Sequence, residues 1–431
     1  MAQRLTDIAR KGLWHGVTSQ SSYRPTPSLL RRTGLLTVLC CSAIVMLSQN
    51  LSACPFCAPQ LTFWRQIEDS QGAVAAQWVK SVPPDENGID SGSTTFKVRT
   101  VLRAGKLPVK VDDELTLRYY MEGTPQDLFF VTAHQTGEVT FAWDRAERVS
   151  ATLVNYIKAR PTDEAPVKER MNYFLAHLEH PEETIAIDAY SEFAAVRYDD
   201  VAAIAKDLPR EKLLQWITDT NPETAPVARK AFYGMLLGLC GTKEDAAAME
   251  QMFSSADGGG IIGRAGIVSG YLLLTGTEGL DKVEQQLILS KDETRADPFA
   301  AVEAIRFMWT YGNGRIPSKR LIQSMRLMLD NPGMAEFAVT DLTRWDDFAL
   351  GEKLFAYYDR EGYDNEQMQT AIIRYYLTIG QLNEADYPAV DRPAIVRCRQ
   401  MIEVLKKRDP VLFDKAERYL RPAFRPASKP E

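Results

Sequence analysis

Leu239-Cys240-Gly241-Thr242-Lys243-Glu244 returns 35 residues on as Leu274-Thr275-Gly276-Thr277-Glu278, and Tyr311-Gly312 follows 36 residues later. Breaks near Asp346 and at Gly380 keep the register. Each Gly falls where an amphipathic helix pattern ends, and a left-handed C-cap there needs no Cβ. A new helix pattern follows each break. From Ala151 onward apolar residues recur at helical spacing, interrupted by short Gly, Pro or Asp breaks. Helix pairs recurring every 34–36 residues predict an array of helical hairpins over residues 151–423, with 424–431 a disordered tail. One hairpin cannot bury its apolar face alone, so stacking supplies the core.

Upstream the period changes to two. Leu61 to Asp69 reads as a short helix, then Gly72 to Val79 as an apolar strand. Pro83 to Gly92 (PPDENGIDSG) is a turn-rich loop. Thr94 to Leu102 alternates, with Phe96, Val98, Thr100 and Leu102 on one face and Lys97, Arg99 and Val101 on the other. Glu114 to Tyr120, Asp127 to Ala133 and Glu138 to Trp143 complete five strands. Five short strands in about 75 residues fit a small, partly open barrel, here bounded at 54–145.

The N-terminus carries an export pattern. Arg31-Arg32 precedes the uncharged run Gly34 to Leu47, and Ser48-Gln49-Asn50 follows it. These are a basic region, an apolar core and a cleavage region, so residues 1–53 read as a signal sequence. A run of about 14 residues is short for a membrane span, which needs about 20. The long basic region leaves a retained anchor open. Arg31-Arg32 also resembles a twin-arginine signal, although Thr33-Gly34-Leu35 fits it poorly. Leu51-Ser52-Ala53-Cys54 resembles a bacterial lipobox, which would place a lipid on Cys54. Ordinary cleavage after Ala53 would instead leave a free Cys54 amine.

The formal charge of the whole chain is −6, and removing residues 1–53 takes away six Lys/Arg and one Asp, leaving −11. An acidic chain lacks the basic patches that nucleic acid or anionic lipid requires. Of six cysteines, Cys54, Cys57, Cys240 and Cys398 survive cleavage. Cys240 and Cys398 lie in apolar helical patterns and read as buried thiols. A local Cys54–Cys57 bridge suits an oxidising compartment.

Several resemblances bear on these readings. The cysteine pair, the apolar strand, "TTFKVRTVLRAGK" and "DELTLRYY" are similar to netrin-like domains, the OB-type barrels that include the tissue inhibitors of metalloproteinases. The match covers residues 54–133. It departs from the family in having CxxC for CxC and in lacking the cysteines that tie the pair to the barrel. The resemblance implies an N-terminal amine, here that of Cys54, able to chelate a protease zinc. The helical array resembles HEAT repeats, since the TPR signature residues are absent. "CPFC", "LEHPEETIAIDAYSEFA", "RFMWTYGNGRIP" and "SMRLML" resemble a group of exported proteins from planctomycete-type bacteria, which implies the architecture and no activity.

Cys54-Pro55-Phe56-Cys57 also resembles the glutaredoxin active site, where the first thiolate attacks and the second resolves. Those folds place the motif after a β-strand, whereas here it follows an export signal and precedes an all-β pattern. A structural bridge or a lipid tether is the simpler reading, and Ala58 excludes a haem c site. Gly258-Gly259-Gly260-Ile261-Ile262-Gly263 spells GxGxxG but follows a helix, not a strand, and reads as an inter-helix loop. His177 and His180 share a helix side at i and i+3, without the HExxH order of a zinc helix, and read as a solvated helix end before Pro181. His134 has no identifiable partner in the sequence. Asp188, Asp199, Asp200, Asp341, Asp346 and Asp347 read as caps and solvated faces. Most array aromatics read as core. Trp309, Tyr311, Arg315 and Trp345 are the candidate protein-binding face, because Trp, Tyr and Arg anchor interfaces and solenoids bind on their concave side.

The expectation is therefore a multidomain β + α chain: a five-stranded netrin/OB-like barrel, then an all-α HEAT-like solenoid. The expected role is non-enzymatic protein binding or scaffolding in the periplasm or at the cell surface. It needs no cofactor, metal or nucleic acid, and its partner is a protein. Membrane contact runs only through the signal sequence or a lipid on Cys54. Two alternatives stand beside it: thiol–disulfide redox at Cys54/Cys57, and metalloprotease inhibition through the Cys54 amine.

Overall fold

The computed structural model describes residues 60–85, 90–105, 107–137, 140–219, 221, 229–254, 261–291, 297–418 and 420. The export signal, Cys54, Cys57, the first three glycines of the GxGxxG string and the 424–431 tail lie outside them.

The described chain opens with helix α1 (Phe63–Asp69), capped by the Thr62 hydroxyl, which accepts from Arg65 N at 3.2 Å. Six strands follow: β1 (Gly72–Val82), β2 (Ser93–Arg103), β3 (Glu114–Leu117), β4 (Leu128–Gln135), β5 (Phe141–Trp143) and β6 (Glu147–Val149). They form one antiparallel sheet in the order β3-β2-β1-β4-β5, with β6 also paired to β4. The sixth strand was not expected; three residues are too few for alternation to show.

Both faces of the sheet are covered. Val74, Ala76, Phe96, Val98, Leu117, Phe129 and Val131 form a core of their own. Ala73, Ala75 and Phe130 point the other way and join the helical core, with Phe63 edge-on to Phe130 at 5.2 Å between ring centres. The expected alternation of β2 fails after Val98. Ala76 faces Val98 but Ala75 faces Thr100, so Arg99 is the extra residue of a bulge. The bulge inverts the phase, sending Val101 to the sheet's own core and Leu102 to the helical one.

From residue 151 the chain is helical: α2 (Ala151–Ala159), α3 (Val167–Leu175), α4 (Glu183–Ala194), α5 (Tyr198–Ala203), α6 (Arg210–Thr218), α7 (Lys230–Cys240), α8 (Lys243–Ser254), α9 (Ile261–Thr275), α10 (Thr277–Val283), α11 (Pro298–Tyr311), α12 (Ser318–Leu327), α13 (Ala335–Arg344), α14 (Gly351–Tyr357), α15 (Glu366–Gly380), α16 (Arg392–Arg408) and α17 (Pro410–Arg418). Helices α7, α9, α11, α13 and α15 end at 240, 275, 311, 344 and 380, the register read from the sequence. Next-but-one helices stack, α7 on α9, α9 on α11, α13 on α15 and α15 on α17, while sequence neighbours pack as hairpins.

The expected left-handed caps occur only in part. Gly276 has φ +64° and Asp346 φ +54°, but Gly241 and Gly312 have φ near −75°. Gly241 is needed for space instead, since a Cβ there would lie 2.6 Å from Leu237 O. Among the described helices the closest backbone-to-backbone approach is between α7 and α9. A Cβ on Gly266 would meet Ala231 O at 1.9 Å, and one on Gly270 would meet Gly234 O at 2.0 Å. Two backbones in contact leave no side chain that could yield.

Contacts also pass beyond neighbouring hairpins. The Tyr198 ring of α5 lies 5.5 Å from Phe307 and 4.7 Å from Tyr311, both on α11. A strictly linear stack would not join these helices.

Candidate functional site

The repeat is written in polar pairs as well as in helix ends. Arg210 Nε lies 2.6 Å from Asp245 Oδ2, and Arg306 Nε 2.6 Å from Asp341 Oδ2, each pair 35 residues apart. Arg264 meets Asp297 at 3.2 Å over 33 residues, and Arg320 Nη2 meets Glu284 Oε2 at 2.7 Å over 36. Ser150 donates to Glu182, and Tyr156 to Asp188, both over 32 residues. Each pair ties one hairpin to the next. Asp188, Asp341 and Asp347 are buried, not solvated as their sequence context suggested. Asp347 does cap, accepting from Ala349 N at 3.2 Å, while Arg326 Nε holds it at 2.7 Å.

The densest of these clusters joins the start of the described chain to the array. Gln60 N donates to Ser191 Oγ at 3.0 Å, the Thr62 hydroxyl to Glu192 at 2.5 Å and Phe63 N to Asp188 Oδ1 at 2.8 Å. Tyr156 OH donates to the other Asp188 oxygen at 2.9 Å. Arg160 reaches Glu192 at 3.5 Å and Asp163 at 2.8 Å, and its guanidinium lies over the Trp64 ring at 4.1 Å. Burial pushes the Asp188 carboxyl up to about 6, although both hydrogen bonds and Arg160 oppose the shift and only Glu192 adds to it. Both Asp188 oxygens are committed to protein donors, so the cluster acts as a latch. Beside it His177 Nδ1 bonds Tyr173 O at 2.8 Å and its ring packs on Tyr173 at 4.7 Å. His180 Nδ1 accepts from Glu182 N at 3.0 Å. The two histidines are half-buried helix-end groups, not the solvated ones expected. His134 does have a partner, Asp144, at 2.7 Å.

The candidate binding residues separate into two places. Trp309 and Trp345 stack, with ring centres 4.2 Å apart and planes 11° from parallel. Tyr311 lies two residues beyond Trp309, which on a helix turns it to another side, and it packs on Tyr198 and Phe307. Arg315 is exposed, and its backbone oxygen sits 3.6 Å from where a Gly276 Cβ would be. The Trp pair belongs to a longer series that residue type alone did not reveal. Leu239, Leu274, Trp309 and Trp345 are spaced 35, 35 and 36 residues apart, and all four are half-buried on the main core. Leu274 Cδ1 lies 3.3 Å from where a Gly241 Cβ would be, at the end of the preceding repeat. Arg344 flanks it with its side chain 68% exposed.

The two described cysteines are free thiols. Burial pushes Cys240 up to about 11 and Cys398 up to about 12, so neither is a thiolate at neutral pH. Among the described residues no helix is long and apolar enough to cross a membrane. No family model, no curated protein and no solved structure matches the chain.

Proposed function

We propose that this is an exported, non-enzymatic scaffold that binds a protein along one edge of its helical array. The observation that carries the reading is the stripe Leu239, Leu274, Trp309 and Trp345, four half-buried apolar side chains at one repeat position. Arg344 flanks it, and Trp with Arg is the pairing that anchors protein interfaces. The buried carboxylates are committed to arginines, tyrosines and backbone N–H groups, which suits them to rigidity. The array is HEAT-like in its repeat, a reading supported by polar links recurring at 32–36 residues, and it departs from a strictly linear solenoid where Tyr198 meets Phe307 and Tyr311. The β unit is a netrin/OB-like barrel, supported by the strand order β3-β2-β1-β4-β5, in which such a barrel unrolls. Export, and a bridge or lipid at Cys54 and Cys57, rest on the sequence pattern.

Two experiments test this. Crosslinking in the native host followed by purification should give one defined protein partner, lost when Trp309 and Trp345 are both changed to Ala. The same partner recovered equally with W309A/W345A would contradict the edge. The intact mass of the native protein should start at Cys54, either two hydrogens light or with a diacylglyceryl group. A chain retaining residues 1–53 would overturn the cleaved-signal reading.

A further inference from the structure

A cavity of about 360 Å³ lies between the turn Phe348–Leu350, α14, α15 and α16. Its wall is mostly apolar: Phe348, Phe355, Tyr376, Cys398 and Met401, with Gly351 and Ala394 leaving room between them. The volume falls in the range of small-molecule sites, about 300–1,000 Å³. Nothing in the wall is reactive. Tyr376 OH donates to Gly351 O, and Cys398, only 2% exposed, is held neutral by burial.

Two charges also line the cavity, Glu352 on α14 and Arg397 on α16, and they pair with each other. Their side chains are 81% and 58% exposed. An exposed pair of this kind contributes about 0–1 kcal/mol, so Glu352 can turn to water at little cost. Arg397, the less exposed partner, then presents a planar fork of donors suited to a carboxylate. The alternative, a cation on Glu352, would leave Arg397 unpaired beside an apolar wall.

We propose that this cavity binds a small apolar monocarboxylate, its aliphatic or aromatic body against Phe348, Phe355 and Met401 and its carboxylate on Arg397. Glu352 competes for the same guanidinium. The site is separate from the Trp309–Trp345 stripe and does not depend on it.

The test uses the mature protein with octanoate, octanol and octylamine as probes, titrated by calorimetry and by ligand-observed NMR. Octanoate should bind best. Arg397→Gln should weaken octanoate about tenfold and leave octanol unchanged, the loss expected of one charge-assisted pair. Glu352→Gln should tighten octanoate by removing its competitor. Gly351→Leu should abolish binding of all three, because a side chain there enters the cavity; its Cβ would meet nothing closer than Tyr376 Cε1 at 3.9 Å. An unchanged melting temperature shows that each variant is folded. Octylamine binding as well as octanoate, octanoate binding that survives Gly351→Leu, or no octanoate binding at millimolar concentration would each overturn the proposal.

Discussion

Arg306 Nε lies 2.6 Å from Asp341 Oδ2, one repeat away along the chain, and the Asp341 side chain is 3% exposed. Burial raises the Asp341 carboxyl and Arg306 pulls it back. The pair therefore matters most when it is broken. Removing Arg306 leaves the buried carboxylate with only the more distant Arg344 at 3.8 Å, a loss of about 3 kcal/mol. Arg306→Ala should lower stability by that amount in urea unfolding. The double variant Arg306→Met/Asp341→Leu should recover most of it. If the double variant is as unstable as the single, the cost lies in packing and not in the unpaired carboxylate.

The α7–α9 contact makes a second, sharper prediction. Gly270→Ala inserts a Cβ 2.0 Å from Gly234 O, where two helix backbones touch. The helices must separate, and the cost should exceed about 3 kcal/mol, toward the upper end of overpacking penalties. Gly314 is the control. It has φ +73° but open space around it, so Gly314→Ala should cost only about 1–2 kcal/mol of backbone strain. Equal effects of the two substitutions in thermal unfolding would mean the close approach is relieved elsewhere.

The latch at Asp188 should respond to pH. Its carboxyl takes up a proton near pH 6 in the folded chain and near 3.8 in the unfolded one. Between those values the folded state binds more protons, so this group's contribution to stability improves as pH falls from about 7 towards 4. The gain levels off below the unfolded value. It amounts to at most about 3 kcal/mol. Asp188→Asn keeps an acceptor for Phe63 N and removes the titration. The stability difference between the native chain and D188N should therefore change across pH 4–7 and be flat above it. Parallel pH profiles for the two would contradict the shift.

The helix ends were legible because Gly241, Gly276 and Gly312 recur 35 and 36 residues apart, with Gly380 two further periods on. The ion pairs were not, since Arg210 and Asp245 look like two unrelated surface charges until the period is known. Once it is, their separation of 35 and that of Arg306 and Asp341 become the same statement. Trp309 and Trp345 were found by residue type. Leu239 and Leu274 were missed for the same reason, because leucine carries no signal until position is considered. Tyr311 was grouped with Trp309 by proximity in sequence, but two residues along a helix face different sides. The bulge at Arg99 and the three-residue β6 leave no periodic trace. The cavity beside Arg397 is built from three helices and a turn spread over some fifty residues, so no local pattern announces it.

The central claim, that the stripe edge binds a protein, is tested most directly by photocrosslinking in the native host from single positions. A photoreactive residue replacing Arg344 should capture one defined partner, while one replacing the exposed Lys80 of β1, on the sheet, should capture none. Capture of the same partner with equal yield from Lys80, or no capture from Arg344, would contradict the account.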